Sequence, residues 1–231
     1  MKDSIYTIPI SEVFEPKRGC PLCALYKTLE ERWVEYIVGA AMMEPDVRVE
    51  TNRYGYCARH IDKMLKQRNR LSVALILQTR LAWIDEGLNN TAKKSSGLFG
   101  KGAGEKPEQD SCFICQKIDG EFGRIGSNIA VVWAREEDFR KLYGEQEYLC
   151  HPHTEELLRS GRETLRGEKL AGFISATSDL TRKRLRGIKA DIDAFCNLYD
   201  YRSAGSPPPD HKVALAIERA IAYLTGCEEP M

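Results

Sequence analysis

The chain has 231 residues, long enough to bury a core without cross-links, so small size does not account for its eight cysteines. Lys plus Arg and Asp plus Glu both number 34, and the resulting zero net charge excludes a global basic field of the kind that holds nucleic acid or an anionic membrane. The most apolar windows, residues 36–43 and 71–77, fall far short of the ~20 residues of a membrane span, and the amino-terminal stretch has no apolar run of signal-peptide length. The expectation is a cytoplasmic protein, in which reduced thiols serve as metal ligands or reactive groups rather than as a disulfide framework.

In chain order, "SIYTIPISEVFEPKRG" leads into Cys20-Pro-Leu-Cys23. Leu25, Leu29, Trp33 and Ile37 then recur at helical spacing and predict one amphipathic helix. The segment "MEPDVRVETNRYG" reads as a charged turn region punctuated by Pro45 and Gly55, and it delivers Cys57-Ala-Arg-His60. Residues 61–70 predict a short helix and 71–88 a longer one. A Gly/Ser/Lys-rich stretch, residues 93–110, has the composition of a flexible linker; its "GKGAG" lacks both the Lys-Ser/Thr and the preceding strand of a phosphate loop. After it come Cys112-Phe-Ile-Cys115, a helix marked by Ile118, Phe122, Ile125 and Ile129, a second charged turn region "REEDFRKLYGEQE", and Cys150-His-Pro-His153. Two further helices follow, the second running from Glu168 to about Tyr201. The stretch "SAGSPPPD" breaks the chain before a last helix over 211–226, with Asp210 as its cap and Gly226 as its stop.

The chain thus states one plan twice. The second and third cysteines are 34 residues apart in the first copy and 35 in the second. The predicted architecture is all-α: a first module over 1–92, a linker over 93–110, a second module over 111–202, and a carboxyl-terminal loop and helix over 203–231. Each copy offers three thiols and one imidazole as Cys-x-x-Cys and Cys-x-x-His. Zinc prefers four such ligands in a tetrahedron, and i, i+3 spacing in a first helical turn puts both members of a pair on one face. One zinc ion per module, two in all, is therefore expected on Cys20, Cys23, Cys57 and His60 and on Cys112, Cys115, Cys150 and His153. Each ion would close a hairpin of about 40 residues. In "CHPH" either His151 or His153 offers an imidazole, and the match to the first copy favours His153.

A set of three cysteines and a histidine leaves no open coordination position, which points to a structural rather than a catalytic ion. Cys196 reads as a small buried core residue and Cys227 as exposed near the end of the chain. The basic stretch 181–189 reads as a solvated helix face, and Glu44, Asp46 and Arg48 as a helix cap with a local ion pair. No convergent acid/base pair stands out; Glu30 and Glu31 are simply adjacent.

The opening "SIYTIPISEVFE", the "CPLC" box, "MMEPDVR" with "GYCARH", and the late "FCNLYDYR" together resemble DUF6062, a bacterial family of unknown function, over nearly the whole chain. The resemblance implies the same two ligand sets and brings no known reaction. The functional expectation is a zinc-binding helical protein that works as a non-catalytic binding or regulatory module for an unidentified protein or small-molecule partner. Two alternatives stand beside it: a thiol redox sensor that releases zinc on oxidation, and an enzyme with a pocket between the modules near Glu44, Asp46, Arg48, Tyr199 and Arg202.

Overall fold

The computed structural model describes residues 8–95, 112–199 and 210–226, and among these it is helical with no strand. Helix α1 (Ile8–Phe14) precedes α2 (Pro21–Val38), which presents Leu25, Leu29, Val34 and Ile37 as a buried stripe. A 3-10 turn (Ala40–Met43) leads to α3 (Pro45–Tyr54), α4 (Ala58–Lys66) and α5 (Arg70–Ser95). The second half begins with α6 (Phe113–Arg135), which buries Ile118, Phe122 and Ile129, and continues through α7 (Glu137–Gly144), α8 (His151–Thr164) and α9 (Gly167–Asn197). The last helix is broken at Leu215 into α10 (His211–Ala214) and α11 (Ala216–Thr225), with the Asp210 side chain accepting the Lys212 N–H as the cap.

Both stretches expected to be charged turns are helices, α3 and α7. Pro45 stands at the first helical position, where its missing N–H costs nothing, so it starts a helix instead of breaking one. In α7, Glu137 and Asp138 occupy the first turn, where they favour the positive helix end, while Phe139 and Tyr143 bury its inner face. Helix α5 extends to Ser95, three residues into the expected linker; the rest of that linker lies outside the described residues, as do Arg202, the 203–209 break and Cys227. Cys196 is exposed, contrary to expectation. The inner face of α9 near its end follows Ile188, Ile192 and Phe195, and Cys196 is one position, about 100°, off that line.

The contacts define two compact units, which differ from the consecutive stretches 1–92 and 111–202. One comprises Met1–Lys27 with Phe122–Met231, the other Thr28–Glu121. In the first unit α8 packs on α9, and α11 on both. Its centre is an aromatic group: Phe14 lies 5.1 Å from Phe139 and 5.8 Å from Tyr143, Tyr143 lies 5.8 Å from Phe173, and the Tyr143 hydroxyl meets Thr177 Oγ1 at 2.8 Å. The Gln146 side chain donates to the Phe14 carbonyl at 2.8 Å, fixing the end of α1. In the second unit α3 and α4 pack on α5. Arg48 reaches across to the Leu75 carbonyl and Thr79 Oγ1, both at 2.6 Å, and Val34, Ile37, Met64, Val73 and Ile76 are buried. No helix among the described residues is long and apolar enough to cross a membrane.

Because Phe14 is fully buried and holds α1 to the aromatic group, Phe14→Ala is expected to destabilise the first unit by about 3–5 kcal/mol. Denaturant unfolding followed by circular dichroism checks this, and a loss under about 1 kcal/mol would show that α1 is dispensable.

Candidate metal centres

All four short motifs meet the same local geometry. Cys57 and Cys150 are the residues before α4 and α8, with nearly identical extended backbones (φ −74°, ψ 161° and φ −71°, ψ 164°), and His60 and His153 are the third residues of those helices. Cys20 and Cys112 directly precede α2 and α6, so Cys23 and Cys115 are likewise third residues. The i→i+4 bonds Ile61 N–H to Cys57, Thr154 N–H to Cys150 and Gln116 N–H to Cys112 (2.9–3.0 Å) start the helical ladder at once. Each pair therefore presents two donors on one face of a helix amino terminus, where the macrodipole favours negative charge. Inside the pairs, Leu22, Phe113 and Ile114 are buried and anchor the turns.

The pairs combine crosswise. Cys20, Cys23, Cys150 and His153 form one cluster and Cys57, His60, Cys112 and Cys115 the other, with the ligand atoms of each within 4.8 Å of one another. The expected sets, which joined Cys20 and Cys23 to Cys57 and His60, and Cys112 and Cys115 to Cys150 and His153, are thus corrected. The reason lies in helix lengths. Helix α2 has 18 residues and the returning α3 only 10, about 27 and 15 Å, so the return ends part-way up α2. His60 there meets Glu30, seven residues beyond Cys23. In the second half of the chain α7 has 8 residues against 23 in α6, and His153 packs on Phe122, seven residues beyond Cys115, with ring centroids 5.1 Å apart.

A four-coordinate ion with sulfur at ~2.3 Å and nitrogen at ~2.0 Å requires sulfur–sulfur edges of about 3.8 Å and sulfur–nitrogen edges of about 3.5 Å. The observed edges are 3.7 Å for Cys23–Cys150 and 4.0 Å for Cys57–Cys115. His153 Nδ1 lies 3.5, 3.3 and 3.0 Å from Cys20, Cys23 and Cys150, and His60 Nδ1 lies 3.3, 3.2 and 3.4 Å from Cys57, Cys112 and Cys115. These sulfurs are too far apart for disulfides, which need ~2.05 Å, and both sets could hold a metal ion. His153 is the histidine at the cluster; His151 is exposed.

The surroundings differ. His60 Nε2 meets the carboxylate of Glu30 at 3.1 Å, and Glu30, only 1% exposed, also binds Arg59 at 2.7 Å and Lys63. With Nδ1 turned to the sulfurs, Nε2–H donates to Glu30, which fixes ring orientation and tautomer. Phe113 N–H donates to the Gly55 carbonyl at 2.9 Å, joining the two arms of this centre. The other centre is enclosed by apolar and backbone groups. Gly226 ends α11 in the left-handed conformation (φ 73°), its carbonyl accepts from Cys23 Sγ at 3.4 Å, and a Cβ there would lie 3.0 Å from Pro152 Cγ and 3.7 Å from Cys150 Sγ. Gly19 N–H donates to Glu147 at 2.8 Å, tying the approach to Cys20 to the approach to Cys150.

Sequence reading took Glu30 as a carboxylate merely adjacent to Glu31, Phe122 as an apolar helix position and Gly226 as a helix stop, none of them as part of a centre. A carboxylate in line with Tyr26, Trp33 and Ile37 on an amphipathic helix was the available signal for Glu30; nothing local placed the other two beside the donors. Glu44 stands at the N-cap position of α3 and Asp46 in its first turn, as expected of a helix cap, but the Glu44 side chain accepts from the Tyr36 hydroxyl at 2.9 Å instead of capping, and Arg48 is turned to α5 in place of the expected ion pair. On the 181–189 stretch Arg184 stacks on the Tyr148 ring at 4.4 Å and Lys189 pairs with Asp193 at 2.8 Å.

Without metal, three close thiols do not all ionise. Hydrogen bonds with Cys150 and Cys20, and then burial, push the Cys23 thiol far up. Cys150 is pushed up to about 12, chiefly by its hydrogen bond with Cys20, and Cys115 to about 12 by burial and by Cys112. Burial also opposes ionisation of Cys20 and Cys57. It is outweighed at Cys20 by hydrogen bonds from Cys150, Cys23 and His153, and at Cys57 by the His60 N–H and the Cys112 and Cys115 thiols, so both lie below the ordinary thiol range. Burial lowers His60 and keeps it neutral and ready to ligate, against the opposing charge of Glu30. Burial would raise Glu30, but Lys63 and Arg59 outweigh it and hold the carboxyl low, so its contribution is present at neutral pH and is lost as pH falls through the depressed value.

The family model described as a family of unknown function, DUF6062, matches residues 1–230. The chain belongs to DUF6062. No curated protein and no solved structure matches it. For this DUF6062 chain the crosswise pairing is directly testable. Cys20→Ser with Cys57→Ser is expected to abolish both metal sites, and Cys20→Ser with Cys150→Ser only one. Metal analysis of the purified variants reads the outcome, and the reverse pattern would restore the within-copy sets. Metal loading at neutral pH is expected to release protons at both sites, with affinity falling as pH is lowered, because protons compete for Cys23 and Cys150 in one and for Cys115 in the other; titration in weakly buffered solution measures this. Glu30→Gln is expected to weaken only the Cys57–His60 site, by about 10–100-fold in a chelator competition.

Proposed function

We propose that this protein is a cytoplasmic zinc protein in which two ions act as structural staples, and that it serves as a binding or regulatory module without catalysis at the metal. The observation that carries the reading is the pair of closed donor sets, each with three sulfurs and one imidazole nitrogen at the edge lengths of a zinc tetrahedron. Thiolate-rich sets favour zinc over harder ions, and four protein donors leave no position for water or substrate. With three thiolates each site has a formal charge of −1, which the two helix amino termini at each cluster favour. The partner would be a protein or a small molecule.

Native purified protein is expected to contain two zinc ions per chain by mass spectrometry, and a strong chelator is expected to remove them with loss of helical circular dichroism, since binding free energy is folding free energy at such sites. Helicity that survives complete stripping would remove the staple role, and a zinc content near zero the metal assignment. A second reading, a redox sensor, is favoured by the partial exposure of Cys23, Cys57 and Cys115 at the cluster edges. In that reading dilute peroxide releases zinc and a thiol reductant restores it; release without recovery, or none, leaves the staple alone.

A further inference from the structure

Helix α5 (Arg70–Ser95) turns one face to its own unit: Ser72, Val73 and Ile76 are buried, and Thr79, Arg80 and Trp83 are half-buried. An adjoining face, about 120° round the helix, carries Ala74, Leu77, Leu81, Ile84 and Leu88, all exposed, with Leu81 at 65% and Leu88 at 66%. A surface helix normally places charged residues there. From Arg70 through these five residues the steps are 4, 3, 4, 3 and 4, the alternation of a coiled-coil seam. The charges on this face are Arg70 at one end and Asp85 toward the other.

We propose that this face is the seam of a homodimer, with α5 of a second copy lying antiparallel across it. The proposal does not depend on the zinc reading. The step pattern reads the same in both directions, so an antiparallel copy sets Arg70 against Leu88, Ala74 against Ile84 and Leu77 against Leu81. The small methyl of Ala74 then meets a bulky branched side chain in each half, as interdigitating layers require. Asp85 stands one turn from Leu88 and hence beside the second copy's Arg70, giving two symmetry-related ion pairs. Within its own helix Asp85 Oδ2 accepts from Asn89 at 3.3 Å. A parallel copy would face Arg70 with Arg70 and Asp85 with Asp85, like against like. The seam spans about 28 Å of helix, and two such faces bury roughly 1,000 Å² together, the lower end of specific interfaces.

Sedimentation velocity of the metal-loaded full chain between about 1 and 100 µM tests this. The dimer fraction is expected to rise with concentration. Leu81→Lys should weaken it by at least about tenfold, with helicity and metal content unchanged because the residue is exposed. Arg70→Asp and Asp85→Arg should each weaken the dimer, and the double variant should restore it. A monomer throughout the range overturns the proposal, including the case in which an unrelated apolar partner covers the face. A dimer that survives Leu81→Lys overturns it too, and failure of the double charge exchange to restore association overturns the antiparallel register.

Discussion

Everything in the two centres depends on one local device: a donor at the residue before a helix and a second donor three positions on. At those two positions the side chains share a face, and the unpaired N–H groups of the helix start favour thiolate over thiol. The backbone of Cys57 and that of Cys150 agree to within a few degrees, although Ala58-Arg59 and His151-Pro152 fill the interior positions with unlike residues. The geometry belongs to the helix start, and the residues between the donors only have to allow it.

Two such devices make a centre, and the chain distances between them differ. One cluster joins positions 127 residues apart and the other positions 58 apart, and the shorter loop lies wholly within the longer. Closing a loop costs entropy that grows only slowly with its length, so the long closure is not forbidding once other contacts share in it. They do: Gln146 on Phe14, Gly19 on Glu147 and the Phe14 aromatic contacts draw the same two arms together in one unit, and the Phe113–Gly55 bond does so in the other.

The same donors sit in different dielectric surroundings. His60 is backed by a buried carboxylate with two cationic partners, so its ring is oriented by charge-assisted bonds. His153 is backed by the Phe122 ring, and its centre is covered by the Gly226 cap of α11. A carboxylate behind a ligating imidazole raises its basicity, whereas an aromatic face only confines it. The two centres therefore differ in what holds the ligand, not in what the ligand is.

Periodicity in the sequence determined the helical class, and spacing picked out the eight side chains that cluster, because both are set within one or two turns of chain. The choice of His153 over His151 followed from the i, i+3 rule for the same reason. Helices α3 and α7 were missed because Pro45 and the acidic runs start helices as readily as they end them, and only the packing of Phe139 and Tyr143, or of Arg48 on α5, selects the helix. The exposure of Cys196 was likewise a matter of helix phase against neighbours. Which pairs share a centre was settled by tertiary structure alone. The two halves of the chain each offer a Cys-x-x-Cys and a Cys-x-x-His, equally well within or across, and nothing in the local pattern separates the two pairings. The decision rests on rise per residue: α3 and α7 are too short to return to the starts of α2 and α6, so His60 stops two turns up α2 at Glu30 and His153 two turns up α6 at Phe122, where the thiols of the other Cys-x-x-Cys pair meet them.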